Sequence, residues 1–173
     1  MKLALNGAVT VGTLDGANIE IRDRVGADNF FLFGVTADQA VAIRQAGYSP
    51  RAYYRDDAEL KAAIDTLTSG VFSGGDHDAF EQVLSSILDW DEYLVMADYR
   101  SYVDCHDRAV ATAWADEDRW TRMSILNTAR SGYFSSDRTV RDYCRGIWHA
   151  EPVPVSATAA ADSEAPARQD PQD

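Results

Sequence analysis

The chain has 173 residues, about one domain's worth, with apolar residues at 46% and aromatics at 10%, so most of it is expected to fold around a core. Sixteen Lys+Arg stand against 28 Asp+Glu, a formal charge of −12. That balance argues against a sequence-independent nucleic-acid binder and against docking on anionic membranes, because both need a basic face.

The first residues, Met-Lys-Leu-Ala-Leu-Asn-Gly, begin like a signal peptide. The apolar stretch then breaks at Asn6 and Gly7 with no cleavage site, and no apolar run approaches the roughly 20 residues of a membrane span. The expectation is a cytoplasmic chain. The β-branched run Ala8–Thr13 reads as a short strand, followed by the turn signal Asp15-Gly16. Asn29–Gly34 is a continuous apolar run ended by Gly, the pattern of a strand buried on both faces in a parallel sheet.

After the two strands the chain reads as helical. Thr36-x-x-Gln39 is a capping-box pattern, and Gly47 closes that helix. Asp56-x-x-Glu59 is read as opening the next, through Leu60, Ile64 and Leu67. Phe80, Val83, Leu84, Ile87 and Leu88 recur at the spacing of one helix face. Asp98 is read as a cap ahead of Tyr99, Tyr102 and His106, and Asp116–Asp118 as a solvated connection. Trp120, Met123 and Asn127 mark a further helix. Ser136-Asp137 opens the last, with Val140, Tyr143, Cys144 and Ile147 expected inward. About six helices after two front strands make an incomplete α/β domain, since a strand buried on both faces needs more neighbours. Residues 151–173 hold four of the five prolines and five acids against Arg168, and are expected to form a disordered acidic tail.

Most motifs have a plain structural reading. Gly7, Gly12 and Gly16 do not match a dinucleotide or P-loop fingerprint. His77 between Asp76 and Asp78 reads as a solvated helix start, His106 as a packed residue, and Asp89, Asp91 and Glu92 around Trp90 as an acidic loop. Cys105 and Cys144 read as free, buried thiols without metal-ligand spacing. Lysine is rare, only Lys2 and Lys61 against fourteen Arg. Lys2 stands among Met1, Leu3, Ala4 and Leu5; its plain reading is an exposed terminus, whereas packing of that stretch would desolvate the amine and leave it nucleophilic.

The string from Met1 to Ile21, MKLALNGAVTVGTLDGANIEI, resembles the pyridoxal-phosphate segment of the glycogen (α-1,4-glucan) phosphorylases, in particular the bacterial branch. The resemblance continues through Asn29–Gly34, Gly47-Tyr48, Val95–Tyr99, Trp120–Met123 and Phe134–Thr139, and so covers nearly all of residues 1–150. It implies a glycosyltransferase of carbohydrate metabolism, from a family with allosteric members. The terminal α-1,4 bond of a glucan (glycogen or maltodextrin) is cleaved by inorganic phosphate to give glucose 1-phosphate. Lys2 matches the lysine that carries pyridoxal 5'-phosphate as a Schiff base, and Asn6 matches the motif's asparagine. No catalytic residue and no metal ligand is carried over.

Members of that family are several times longer, and the Glu-Ala-Ser-Gly-x-Gly-x that precedes the Met-Lys motif is missing here. The resemblance therefore implies a fragment, with Met1 an internal methionine. It would be the last part of a Rossmann-like C-terminal domain of the type B glycosyltransferase fold, inactive alone and a homodimer when complete. The competing reading is a non-catalytic helical regulatory or interaction module that kept the scaffold. Such a module has no need of an intact Met-Lys-x-x-Leu-Asn.

Overall fold

The computed structural model describes residues 1–151 and 153. The chain divides into two units, Met1–Tyr133 and a second beginning at Phe134. The acidic tail expected over 151–173 lies outside the described residues, apart from Glu151 and Val153.

The first unit opens with a four-residue helix, α1 (Lys2–Leu5). Strand β1 (Thr10–Gly12), helix α2 (Gly16–Val25) and strand β2 (Phe30–Leu32) follow. β1 and β2 pair in parallel, with Val11 opposite Phe31, and α2 is the crossover that a parallel pair requires. Phe30 and Phe31 point to opposite faces and both are buried, as the apolar run predicts, while Leu32 is exposed. The result is a mixed, mostly helical unit with a two-stranded parallel sheet.

Helix α3 (Ala37–Gln45) carries the predicted capping box. Gln39 N–H donates to Thr36 Oγ1 at 3.3 Å, and Thr36 N–H donates to Gln39 Oε1 at 2.8 Å. The next helix starts earlier than expected. α4 (Pro50–Asp56) begins with Pro at its first turn, where a missing N–H costs nothing, and Asp57 rather than Asp56 caps α5 (Ala58–Thr68). The predicted face at Phe80–Leu88 forms α6 (Glu81–Ser85) and a π-helical continuation, Ser86–Trp90. Only Leu84 of that face is fully buried, and Val83 is exposed.

Helix α7 (Val95–Asp104) begins three residues before Asp98, so Asp98 lies in its first turn and does not cap it. α7 runs through a π-helical stretch, Cys105–Val110, into α8 (Ala111–Ala115). Asp116–Asp118 is no loose connection. Asp116 caps α9 (Glu117–Arg130) by accepting from Arg119 N–H at 3.0 Å, and Glu117 and Asp118 meet the positive end of its dipole. The ten α-helical segments among the described residues exceed the expected six because α1, α2 and α4 were not foreseen and a π-helical stretch divides α7 from α8.

Two apolar clusters hold this unit. Leu60, Ile64, Leu84 and Met96 join α5, α6 and α7, each buried side chain contributing roughly 1.5–3 kcal/mol. Phe31, Ala113 and Met123 join β2, α8 and α9, with Trp120 stacked on Phe31. Asn127, fully buried on α9, donates from Nδ2 to the Asn29 carbonyl (3.0 Å) and to that of Met123 (2.9 Å). The entry to β2 is thus bonded to α9.

In the second unit α10 (Ser136–Tyr143), capped by Ser135, continues as a π-helical stretch, Cys144–Trp148. Val140, Tyr143 and Ile147 were expected inward but are exposed, at 50%, 46% and 64%, because none of this unit's described residues covers that stripe. Among the described residues no helix is long and apolar enough to cross a membrane.

Candidate functional site

Lys2 lies on α1, whose orientation is fixed from its far end. Gly7 N–H donates to the Ala4 carbonyl and Ala8 N–H to that of Leu3, both at 3.1 Å, the paired closure of a Schellman motif. Gly7 has φ +82°, and a Cβ there would stand 2.5 Å from Ser124 Oγ on α9. The glycine therefore serves both the left-handed turn and the close approach to α9. Ala4 faces inward and is buried, while Leu3 and Leu5 face outward at 74% and 48% exposure. Asn6 Nδ2 donates to the Lys2 carbonyl at 2.9 Å and adds a side-chain lock to the same turn.

Lys2 itself is exposed. The burial that would desolvate its amine is not supplied by this chain, because α1 turns Ala4, not Lys2, toward α9. Among the described residues no acceptor or carboxylate engages the amine, so it is an accessible primary amine on a rigid turn. Lys61, by contrast, is paired with Asp65 one helical turn on and bonded to the Tyr54 hydroxyl.

A second feature lies at the carboxyl ends of the parallel strands, where ligands of parallel α/β sheets commonly bind. There the segments Thr13–Asp15 and Phe33–Ala37 and the start of α7 enclose an open cavity of about 490 Å³. Asp98 Oδ1 accepts Val35 N–H at 2.8 Å, and Ser101 Oγ accepts Gly34 N–H at 2.9 Å, so α7 holds the segment after β2. Gly34, at φ +84°, makes this possible, since a Cβ there would sit 2.7 Å from Thr13 Cγ2 and 2.8 Å from Asp98 Oδ1. Burial, only partly countered by the Val35 amide, raises the Asp98 carboxyl above its ordinary range, and repulsion from Asp91 and Asp15 adds to this. Lys2 does not line this cavity.

The other sequence candidates separate. His77 bonds the Thr68 carbonyl at 2.7 Å, and among the described residues no cluster of potential metal ligands forms. His106, expected to be packed, is exposed within the π-helical stretch, with Tyr102 and Asp107 beside it. Cys105 and Cys144 are free and half-buried, less enclosed than expected. Asp91 leaves the acidic loop for the interior, and Asp89 pairs with Arg51 at 2.5 Å. Sequence reasoning missed the cavity because Asp98 and Tyr102 read as a cap and a packed face. The available signal was two strand ends with polar residues close behind, Thr13 and Asp15 after β1 and Thr36 after β2.

Residues 1–150 match the family described as carbohydrate phosphorylase. The chain is 52% identical over 155 residues to a glycogen phosphorylase of Synechocystis sp., covering 90% of this chain and 18% of that protein. It is 44% identical over 153 residues to the glycogen phosphorylase of Haemophilus influenzae, covering 88% and 18%. The muscle-form glycogen phosphorylase of Ovis aries is likewise 44% identical over 153 residues, with 88% and 18% covered. The chain thus spans under a fifth of the length of these relatives.

Proposed function

Because the chain belongs to the carbohydrate phosphorylase family, we propose that it is the C-terminal part of an α-glucan phosphorylase and that Lys2 anchors its pyridoxal 5'-phosphate. The observation that carries the assignment is the accessible amine of Lys2 on a turn locked by Asn6 and Gly7 and packed on α9. In the complete enzyme inorganic phosphate would form a bond to C1 of the terminal glucose as the α-1,4 C1–O bond breaks. The freed glucan oxygen takes the proton brought in by the attacking hydrogen phosphate, and glucose 1-phosphate leaves.

The residues present fit covalent attachment of the cofactor. When bound, pyridoxal phosphate supplies a phosphate group that exchanges a proton with the substrate phosphate. This chain's own part is to hold and orient. Lys2 fixes the cofactor, Asn6 and Gly7 fix Lys2, and Ala4 on α9 ties that turn to β2 through Asn127. The β1–α2–β2 unit supports a place at the end of a Rossmann-like domain of the type B glycosyltransferase fold, with residues 1–150 its share and 151–173 a tail. A homodimeric, cytoplasmic enzyme acting on glycogen or maltodextrin completes the reading.

The test is borohydride reduction in the presence of pyridoxal phosphate, followed by peptide mapping. The label is expected on Lys2 and absent from Lys2→Ala. A label confined to Lys61, or no label, overturns the assignment, and a chain without cofactor would then be read as a non-catalytic module.

A further inference from the structure

We propose that the cavity at the carboxyl ends of β1 and β2 binds a neutral α-glucosyl oligosaccharide, stacked on Tyr93 and Tyr102 and hydrogen-bonded by Asp15 and Asp98. The choice of a neutral polyol comes from the cavity, and the choice of glucose rests on the phosphorylase reading above.

The cavity's about 490 Å³ falls within the roughly 300–1,000 Å³ of small-molecule clefts. Four aromatic side chains, Phe33, Tyr93, Tyr99 and Tyr102, stand in its wall. Phe33 and Tyr102 meet edge-to-face at 5.2 Å, and Tyr99 stands on the same helix. Tyr93 is 79% exposed and Tyr102 44%, so both rings present surface to a ligand, and Phe33 backs Tyr102. An aromatic face receives the C–H face of a pyranose, an amphipathic partner with one apolar end and one wet end.

The polar groups are acceptors and hydroxyls. Asp15 precedes α2 without capping it, and its carboxylate has no hydrogen-bond partner among the described residues. Asp98 spends Oδ1 on the Val35 amide and leaves Oδ2 without a donor among the described residues. Thr13 and Thr36 add hydroxyls to the wall. Among the described residues no Lys, Arg or His lines the cavity, so a phosphate or sugar phosphate would meet two carboxylates and no counter-charge from them. Sugar hydroxyls instead supply the donors that Asp15 and Asp98 lack, in charge-assisted hydrogen bonds.

The test is calorimetric titration of the 173-residue chain with maltotetraose. Glucose 1-phosphate serves as the anionic probe and butylguanidinium as the cationic one. Maltotetraose is expected to bind saturably and more tightly than either. Tyr93→Ala, which removes an exposed ring and so spares the fold, should weaken that binding at least tenfold at an unchanged thermal transition. Asp15→Asn, which keeps an acceptor but removes the charge, should weaken it less. Absence of saturable maltotetraose binding, unchanged affinity in Tyr93→Ala, or tighter binding of either charged probe overturns the proposal. Borohydride labelling of the same preparation separates the two readings. Labelled Lys2 without maltotetraose binding overturns the subsite alone. Maltotetraose binding with unlabelled Lys2 supports the subsite and counts against the cofactor assignment.

Discussion

Asp91 is 2% exposed, and an aspartate so placed requires partners for its lone pairs. It has three. The Tyr48 hydroxyl donates to Oδ2 at 2.5 Å, Met96 N–H to the same oxygen at 2.9 Å, and Val95 N–H to Oδ1 at 2.8 Å. The first amides of α7 are thus satisfied from four and five residues upstream, across a turn in which Asp91 and Leu94 both take positive φ. Burial, and then the Asp91 carboxylate, hold the Tyr48 phenol above its ordinary range. Tyr48→Phe should cost about 1 kcal/mol, one hydrogen bond to a charged group that keeps its two amides. Asp91→Ala should cost about 2–3 kcal/mol, since it strips the cap from α7 and strands the Tyr48 hydroxyl. Urea titration of both variants and the double variant checks this, and the double variant should fall well short of the sum.

At the scale of the element, α5 joins α7 through one cap. Asp57 Oδ1 accepts Glu59 and Leu60 N–H, both at 3.0 Å, and Oδ2 accepts from the Arg100 guanidinium of α7 at 2.6 Å. Arg100 also reaches Glu59 at 3.0 Å. The Leu60 amide first, and then Arg100, hold the Asp57 carboxyl below the usual carboxylate range. Its contribution is therefore complete above the unfolded aspartate value, about 3.9, and is lost as pH falls through the lower folded value. Asp57→Ala should cost about 1 kcal/mol at neutral pH, the typical worth of a cap. Asp57→Asn, which keeps the acceptor, should cost less at pH 7 and should flatten the stability loss below about pH 4. Denaturant titrations at pH 7 and pH 3 measure both effects.

Across the whole molecule, the proposed anchor Lys2 and the cavity at the strand ends are separate features. Phosphorolysis needs glucan, phosphate and cofactor held in register, and such positioning is worth roughly 7–11 kcal/mol. The chain is under a fifth of its relatives' length, and Lys2 alone of that arrangement is proposed to lie in it. The 173 residues alone, with pyridoxal phosphate and maltodextrin, should release no glucose 1-phosphate. Phosphate-dependent release that vanishes in Lys2→Ala would place far more of the active site within these residues than Lys2 alone.

What the sequence by itself determined was local and periodic. The parallel, doubly buried strand at Phe30–Phe31, the capping box at Thr36–Gln39 and the helix around Met123 each follow from spacings shorter than about two helical turns. The family match followed from contiguous motifs, which need no three-dimensional context to be read. Tertiary structure decided where a charge or ring points once two elements meet. Lys2 is outward because α1 seats Ala4 on α9. Asp98 is no cap because Asp91, seven residues earlier, reaches the α7 amides first, which frees Asp98 to hold the segment after β2. The stripe of α10 is exposed although its spacing reads as a buried face, because periodicity reports that a face is apolar and not whether anything covers it.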